Sequence, residues 1–267
     1  MLISSHRFKS KRLDFETHLK YAKLIAELSE NLKIATFPNP KLSALDIGKL
    51  KDKIQLVKLT KISIDQEYKI VSFDKDYSTA SVLWLPIKTY YLIYHLLCIM
   101  DCLLSGKMSS LTSGHHDCIK NFNDMLENSV IQFNKPLLNT VSDVNIFKFV
   151  TKSGEHLKES APNDVIYQLL MKKIANDKIE NYQIVNALSG KRPKDRVRIN
   201  NFKSNIKVSI FDFFHSMRLR MNYRNLNFVD NIPSADTKLY FEEYYTSADN
   251  FYKAFTKHIT DLIEKCT

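Results

Sequence analysis

His215, Arg218, Asn222 and Tyr223 are side chains that could act together on a phosphate. They close an apolar helical pattern in which Ile206, Ile210, Phe213, Phe214, Met217 and Met221 share one stripe. At 100° per residue, Arg218 falls on one edge of that stripe and Arg220 on the other, with Asn222 one turn beyond Arg218. A guanidinium and an amide beside an apolar wall can hold a phosphate oxygen while a base or sugar packs on the wall. His215 lies three residues before Arg218, and residues at that spacing are helix neighbours, so it is a candidate general base. A structural histidine and solvated, snorkelling arginines are the alternative reading of the same pattern. Arg224 turns back toward the stripe, so the helix ends near it or that arginine is paired.

The same region concentrates the charge. Residues 191–224 hold ten Lys or Arg against Asp195 and Asp212, which is +8 of the formal +10 of the chain. Lys191, Arg192, Lys194, Arg196 and Arg198 form a basic run just before the apolar stripe. Clustered positive charge points to an anionic partner, and a nucleic-acid backbone is the first candidate. Codon bias would spread lysine along the chain, so the clumping carries the information.

Other chemistries are poorly represented. Five glycines leave no P-loop or GxGxxG, and no GxSxG or HExxH occurs. Cys98 and Cys102 share a helix face but form no paired CxxC knuckle, so buried free thiols are expected and no metal site or cofactor is assigned. In His115-His116-Asp117, adjacent residues diverge by about 100° on a helix, which favours a helix-start role over metal binding. The stretch Val82–Leu104 is broken by Pro86, Lys88, His95 and Asp101, which reads as a core helix and not a membrane span. No signal peptide is evident at 1–12, so a cytoplasmic location is expected.

With 267 residues, few turn formers and long 3.6-residue periodicities, the chain reads as mainly α. Helices are expected over 12–33, from Pro86 to 104, over 115–133, 162–176, 178–188 and 203–224, and from 234 onward. Residues 53–84, rich in β-branched and aromatic types, read as a small antiparallel sheet. Pro86 fits a first helical turn. Residues 189–201, with Gly190 and Pro193, read as a basic linker, and 136–160 suggest no element. These signals predict an N-terminal helix plus small β element at 1–79 and a helical domain at 80–267. The aromatic stripe of the last helix, from Phe241 to Ile263, reads as core or dimer interface.

Three segments in this order resemble the HEPN superfamily of helical-bundle proteins, common in bacterial toxin and phage-defence systems. Pro86 to Leu97, with Tyr90-Tyr91 and then Tyr94-His95, resembles its first core helix. Ser113 to Phe122, with His115-His116, resembles the start of its second helix. Arg218 to Tyr223 resembles its third signature, an Arg followed by a polar residue and Tyr. The resemblance implies a HEPN-like bundle from about residue 80 and a homodimer. Ribonuclease members carry an Arg, four to six variable residues, and then a His. No His lies between His215 and His258, so that pattern is absent.

The expected function is therefore an RNA- or nucleotide-binding protein of a defence or toxin–antitoxin type system, without the standard ribonuclease activity. Two alternatives stand beside it. One is a metal-independent ribonuclease with a non-standard site around His215, Arg218, Asn222 and Tyr223. The other is a scaffold subunit that meets an acidic partner protein from the same operon.

Overall fold

A computed structural model describes residues 15–38, 47–71, 73–134, 163–223 and 234–264. The reading of 136–160 lies outside them. Within them the protein is mainly α. The helices are α1 (Phe15–Ser29), α2 (Ile47–Val71), α3 (Lys75–Ser105), α4 (His115–Glu127), α5 (Asn163–Val185), α6 (Pro193–Ser204), α7 (Ile210–Tyr223) and α8 (Ser234–Glu264), with a 3-10 turn at Met108–Thr112.

Helix α3 is the axis of the bundle, packed by α2, α4, α7, α8 and the 3-10 turn. Leu92, Leu96, Cys98, Ile99, Met100, Cys102 and Leu103 are buried on successive positions around it, and a helix apolar on all sides must lie inside. Its stretch Ser81–Ser105 is long and apolar enough to cross a membrane by composition, and 72% of its apolar window is buried inside the bundle. Cys98, Cys102 and Cys118 are buried free thiols, with Cys98 and Cys118 sulfurs 3.4 Å apart. The aromatic stripe of α8, including Phe241, Tyr244, Phe251 and Phe255, is buried in the core.

The predicted sheet at 53–84 is a correction. Those residues form α2, a turn, and the first third of α3. Buried or half-buried Leu50, Ile54, Val57, Lys61, Ile64, Tyr68 and Val71 recur every three or four residues and face the core. This spacing overrides the strand preference of β-branched residues. Asp74, expected between strands, is instead the N-cap of α3 and accepts from Tyr77 N at 3.0 Å. The small sheet that does exist pairs β1 (Ile34–Thr36) with β2 (Gln132–Phe133). Because α3 is continuous across residues 79 and 80, the proposed boundary there crosses a helix, and α1, α2 and the later helices share one core.

Pro86 does not begin a helix; it lies inside α3. Proline has no N–H to give the carbonyl four residues earlier, that of Val82. The buried hydroxyl of Tyr240 on α8 donates to that carbonyl at 3.0 Å, so the helix continues without an orphaned acceptor.

The basic linker at 189–201 is also a correction. Its larger part is α6, with Pro193 in the first turn and Asp195 accepting from Ser189 N (2.6 Å) and Arg192 Nε (2.7 Å). The single helix expected over 203–224 is broken at 205–209. Ser209 and Asp212 form a reciprocal cap: Asp212 Oδ2 accepts from Ser209 N at 2.8 Å, and Ser209 Oγ accepts from Phe211 N at 3.3 Å. The apolar stripe from Ile206 to Met221 is nonetheless buried as read. The two short helices expected over 162–188 are one, α5.

Candidate active site

One face of α3 presents Tyr90, Tyr91, Tyr94 and His95. The i, i+4 pairs Tyr90–Tyr94 and Tyr91–His95 stack two aromatic columns side by side along the helix. The 3-10 turn then returns the chain so that α4 begins on this face with His115. Tyr94 fixes that return by donating to Ser113 O at 2.5 Å. Helix α7 lies along α3 and contributes His215 and Arg218 one turn apart.

Tyr90 is the centre of the group. Its hydroxyl is 2.7 Å from His115 Nδ1. Its ring centroid is 5.5 Å from both the His115 and the His215 rings, and the Arg218 guanidinium carbon is 5.7 Å away over its face. The two imidazoles are near-parallel, 6.3 Å apart between centroids. Arg218 also covers Tyr91 at 5.6 Å and donates from Nη2 to the Tyr91 hydroxyl at 3.2 Å. Tyr90 is buried, whereas His115, His215, Arg218, Tyr91 and His95 are half-buried, which gives the group a wall and an open side.

The position of α7 is set at its N-terminus. Asp212 takes hydrogen bonds from Asn123 Nδ2 on α4 (2.9 Å), Lys178 Nζ on α5 (2.7 Å) and Ser209 N (2.8 Å). This buried hub ties α4, α5 and α7 together one turn below His215.

The electrostatics favour an anion. Among the described residues no carboxylate pairs with Arg218, and its buried Nε has no hydrogen-bond partner among them either. Lys53 on α2 adds a second cation, with Nζ 5.5 Å from the Tyr94 ring centroid. The histidines respond to burial and to these charges. Burial above all, with Arg218, His115 and Lys178 adding and Asp212 opposing, pushes His215 down to about 4. Burial, then Lys53 and His115, lowers His95 to about 4. Burial, then Arg218 and Lys53, lowers His115. Burial raises Tyr90 against the pull of Arg218, so it stays protonated. At neutral pH the site therefore holds neutral imidazoles among cations. No cluster of three or more His, Cys, Asp or Glu placed to hold a metal occurs among the described residues.

Of the residues singled out in the sequence, His215 and Arg218 stand in this group. The side chains of Arg220, Asn222 and Tyr223, and the whole of Arg224, lie outside the described residues. Lys191, Arg192, Lys194, Arg196 and Arg198 are exposed. Helix α6 packs on α5, and Arg198 reaches Asn186 at 3.4 Å, whereas Arg218 sits against α3. The basic run and Arg218 thus have different supports. Part of the window's charge is also neutralised: Arg192 pairs with Asp195, and Lys207 pairs with Asp124 (2.6 Å) and with Glu127.

Sequence reasoning read His115 as a helix start, where it stands, but gave no site role to it or to Tyr90, Tyr91, Tyr94, His95 or Lys53. The legible signal was the doubled i, i+4 aromatic column on α3. Nothing local in the sequence says that residues 25 and 125 positions downstream pack on it. No family model matches the chain, and neither the curated proteins nor the solved structures give a match.

Proposed function

We propose that the protein is a HEPN-like RNA-binding protein whose Arg218 site cleaves RNA without a metal. The observation that supports this most is Arg218: a half-buried guanidinium with no carboxylate partner among the described residues and an unused buried Nε, near two imidazoles. An anionic ligand offsets the cost of holding a partly desolvated cation without a counter-ion. A phosphodiester supplies the charge and the in-plane oxygens that a guanidinium matches.

The two histidines give the acid and the base. In the reaction proposed, neutral His215 takes the proton from a ribose 2′-hydroxyl. The 2′-oxygen bonds to the adjacent phosphorus as the bond to the 5′-oxygen breaks. His115 gives its proton to that departing oxygen, leaving a 2′,3′-cyclic phosphate and a 5′-hydroxyl. The acid role requires His115 to be protonated in the complex. Two of the three influences holding it down, Arg218 and Lys53, are the charges that a bound phosphate offsets. As imidazolium, its Nδ1–H donates to Tyr90 and its other N–H is available to the leaving group. Arg218 stabilises the charge gathering on the phosphoryl oxygens.

Unstructured RNA incubated with the protein in excess EDTA tests this reading. Cleavage that leaves cyclic-phosphate ends, spares a substrate with 2′-deoxyribose at the cut, and disappears in His215→Ala and Arg218→Ala is the expected result. No cleavage, or cleavage only with added divalent metal, overturns it. A second reading, a scaffold subunit, draws on the exposed Leu56, Leu59, Ile62 and Ile70 along α2. Salt-insensitive capture of a partner protein with no RNA binding would favour it.

A further inference from the structure

Beside the histidine cluster, a groove of about 550 Å³ runs between the first turns of α2 and the 3-10 turn. Lys49 and Lys53, one helical turn apart, form one wall, and Met108 and Leu111 form an apolar part of the other, with the Ser109 and Thr112 hydroxyls at hand. Among the described lining residues Asp52 is the one acid, beside Lys49 and Lys53.

Lys53 belongs to both sites. It lines the groove, and its ammonium stands over the Tyr94 ring at 5.5 Å, while Tyr94 packs on His115 at 4.4 Å between ring centroids. The turn is shared too, because Thr112 lines the groove and the next residue, Ser113, accepts from the Tyr94 hydroxyl. The groove and the Arg218 cluster are therefore neighbouring compartments, with Tyr94 and Ser113 between them.

The chemistry of the lining selects the ligand. Two cations spaced by one turn, about 6 Å along the axis, suit a phosphate and not a neutral metabolite. A thioether and a leucine side chain opposite suit the flat face of a base. A free mononucleotide would need only one compartment, whereas a polynucleotide needs two in succession. We propose that this groove binds the nucleotide next to the one held at Arg218 in a single-stranded RNA, its phosphate on Lys49 and Lys53 and its base on Met108 and Leu111. This assignment rests on the RNA reading of the Arg218 site and extends it to a substrate of at least three nucleotides that is unpaired at the cut.

The test uses the full chain, fluorescein-labelled hexauridylate, and the dinucleotide UpU and UMP as competitors. The readout is the ratio of hexamer to dinucleotide affinity, with hexamer affinity followed across salt. Lys49→Glu reverses a charge in the first turn of α2, and Ser109→Trp fills the groove from an exposed position; the thermal midpoint of each is read beside the wild type to show that it folds. The expected result is a hexamer preference in the wild type that falls at least fivefold in each variant, with a shallower salt dependence in Lys49→Glu. An unchanged ratio in both variants, a wild type that binds UMP as well as hexamer, or no hexamer binding at all overturns the proposal. Cleavage is scored separately. A lost ratio with no cleavage in any sample sinks the ribonuclease reading and keeps the groove; intact cleavage with an unchanged ratio does the reverse.

Discussion

Arg218 on α7 and Tyr91 on α3, 127 residues apart in sequence, are joined by a 3.2 Å hydrogen bond from Nη2 to the phenolic oxygen while the guanidinium lies over the Tyr91 ring. The bond holds one edge of the guanidinium and leaves the Nε edge without a partner among the described residues. Tyr91→Phe keeps the ring and removes the anchor. It is expected to lower RNA cleavage several-fold with a stability change under about 1 kcal/mol. Arg218→Ala is expected to lower it by about 10²–10³. Arg218→Lys should rescue little, because an ammonium lacks the planar fork. Single-turnover cleavage of a labelled RNA beside urea melts separates these effects.

His215 and His95 make stability depend on pH. Each titrates near 4 in the folded protein, below the ordinary histidine value of about 6.5. A lowered histidine pKa means that the unfolded chain binds the proton first. Stability from these groups is complete above about 6.5, falls as pH drops toward 4, and falls no further below it. Carboxylates also lose stability in acid, so the informative quantity is a difference. The urea midpoint of His215→Phe should drop less between pH 7 and pH 4.5 than that of the wild type, and an equal drop refutes the assignment.

Tyr240 and Pro86 form a compensating pair through the Val82 carbonyl. Tyr240→Phe keeps the ring in the core and leaves that carbonyl without its donor. The expected cost is about 1–3 kcal/mol, the range for a buried polar group stripped of its partner. Adding Pro86→Ala restores an N–H within reach of the same carbonyl, so the double variant should lose less than Tyr240→Phe alone. Denaturant unfolding of the four proteins measures this coupling.

Asp212 is the hub that places His215. Asp212→Ala removes the acceptor of Asn123, Lys178 and Ser209 N together and leaves the half-buried Lys178 ammonium without its carboxylate. A loss of about 3 kcal/mol or more is expected, as for other broken buried pairs. Asp212→Asn should fall between, because the amide oxygen still accepts at the cap. Chemical denaturation, with far-UV circular dichroism to confirm that the helices persist, checks both.

Much of the fold follows from local chemistry. Periodicity placed α1, α4 and α8 and the buried stripe of α7, because a helix face turned to the core repeats at 3.6 residues whatever it meets there. It also contained α2, but β-branched residues at 54–64 suggested strand until burial showed the three- and four-residue spacing. The Ser209–Asp212 cap that begins α7 was not read, because the apolar stripe from Ile206 to Met221 runs across the break before it. Pro86 could not be placed by local rules, because its tolerance inside α3 depends on Tyr240, 154 residues away. The site divides in the same way. The sequence by itself determined its ingredients: an arginine one turn after a histidine on α7, and a doubled aromatic column on α3. Only the tertiary structure decided that His115 joins them, that the 191–198 run has a different support, and that Arg218 has no carboxylate partner among the described residues. Those facts depend on how three helices cross, and crossing is set by the packing of side chains that are far apart in the chain.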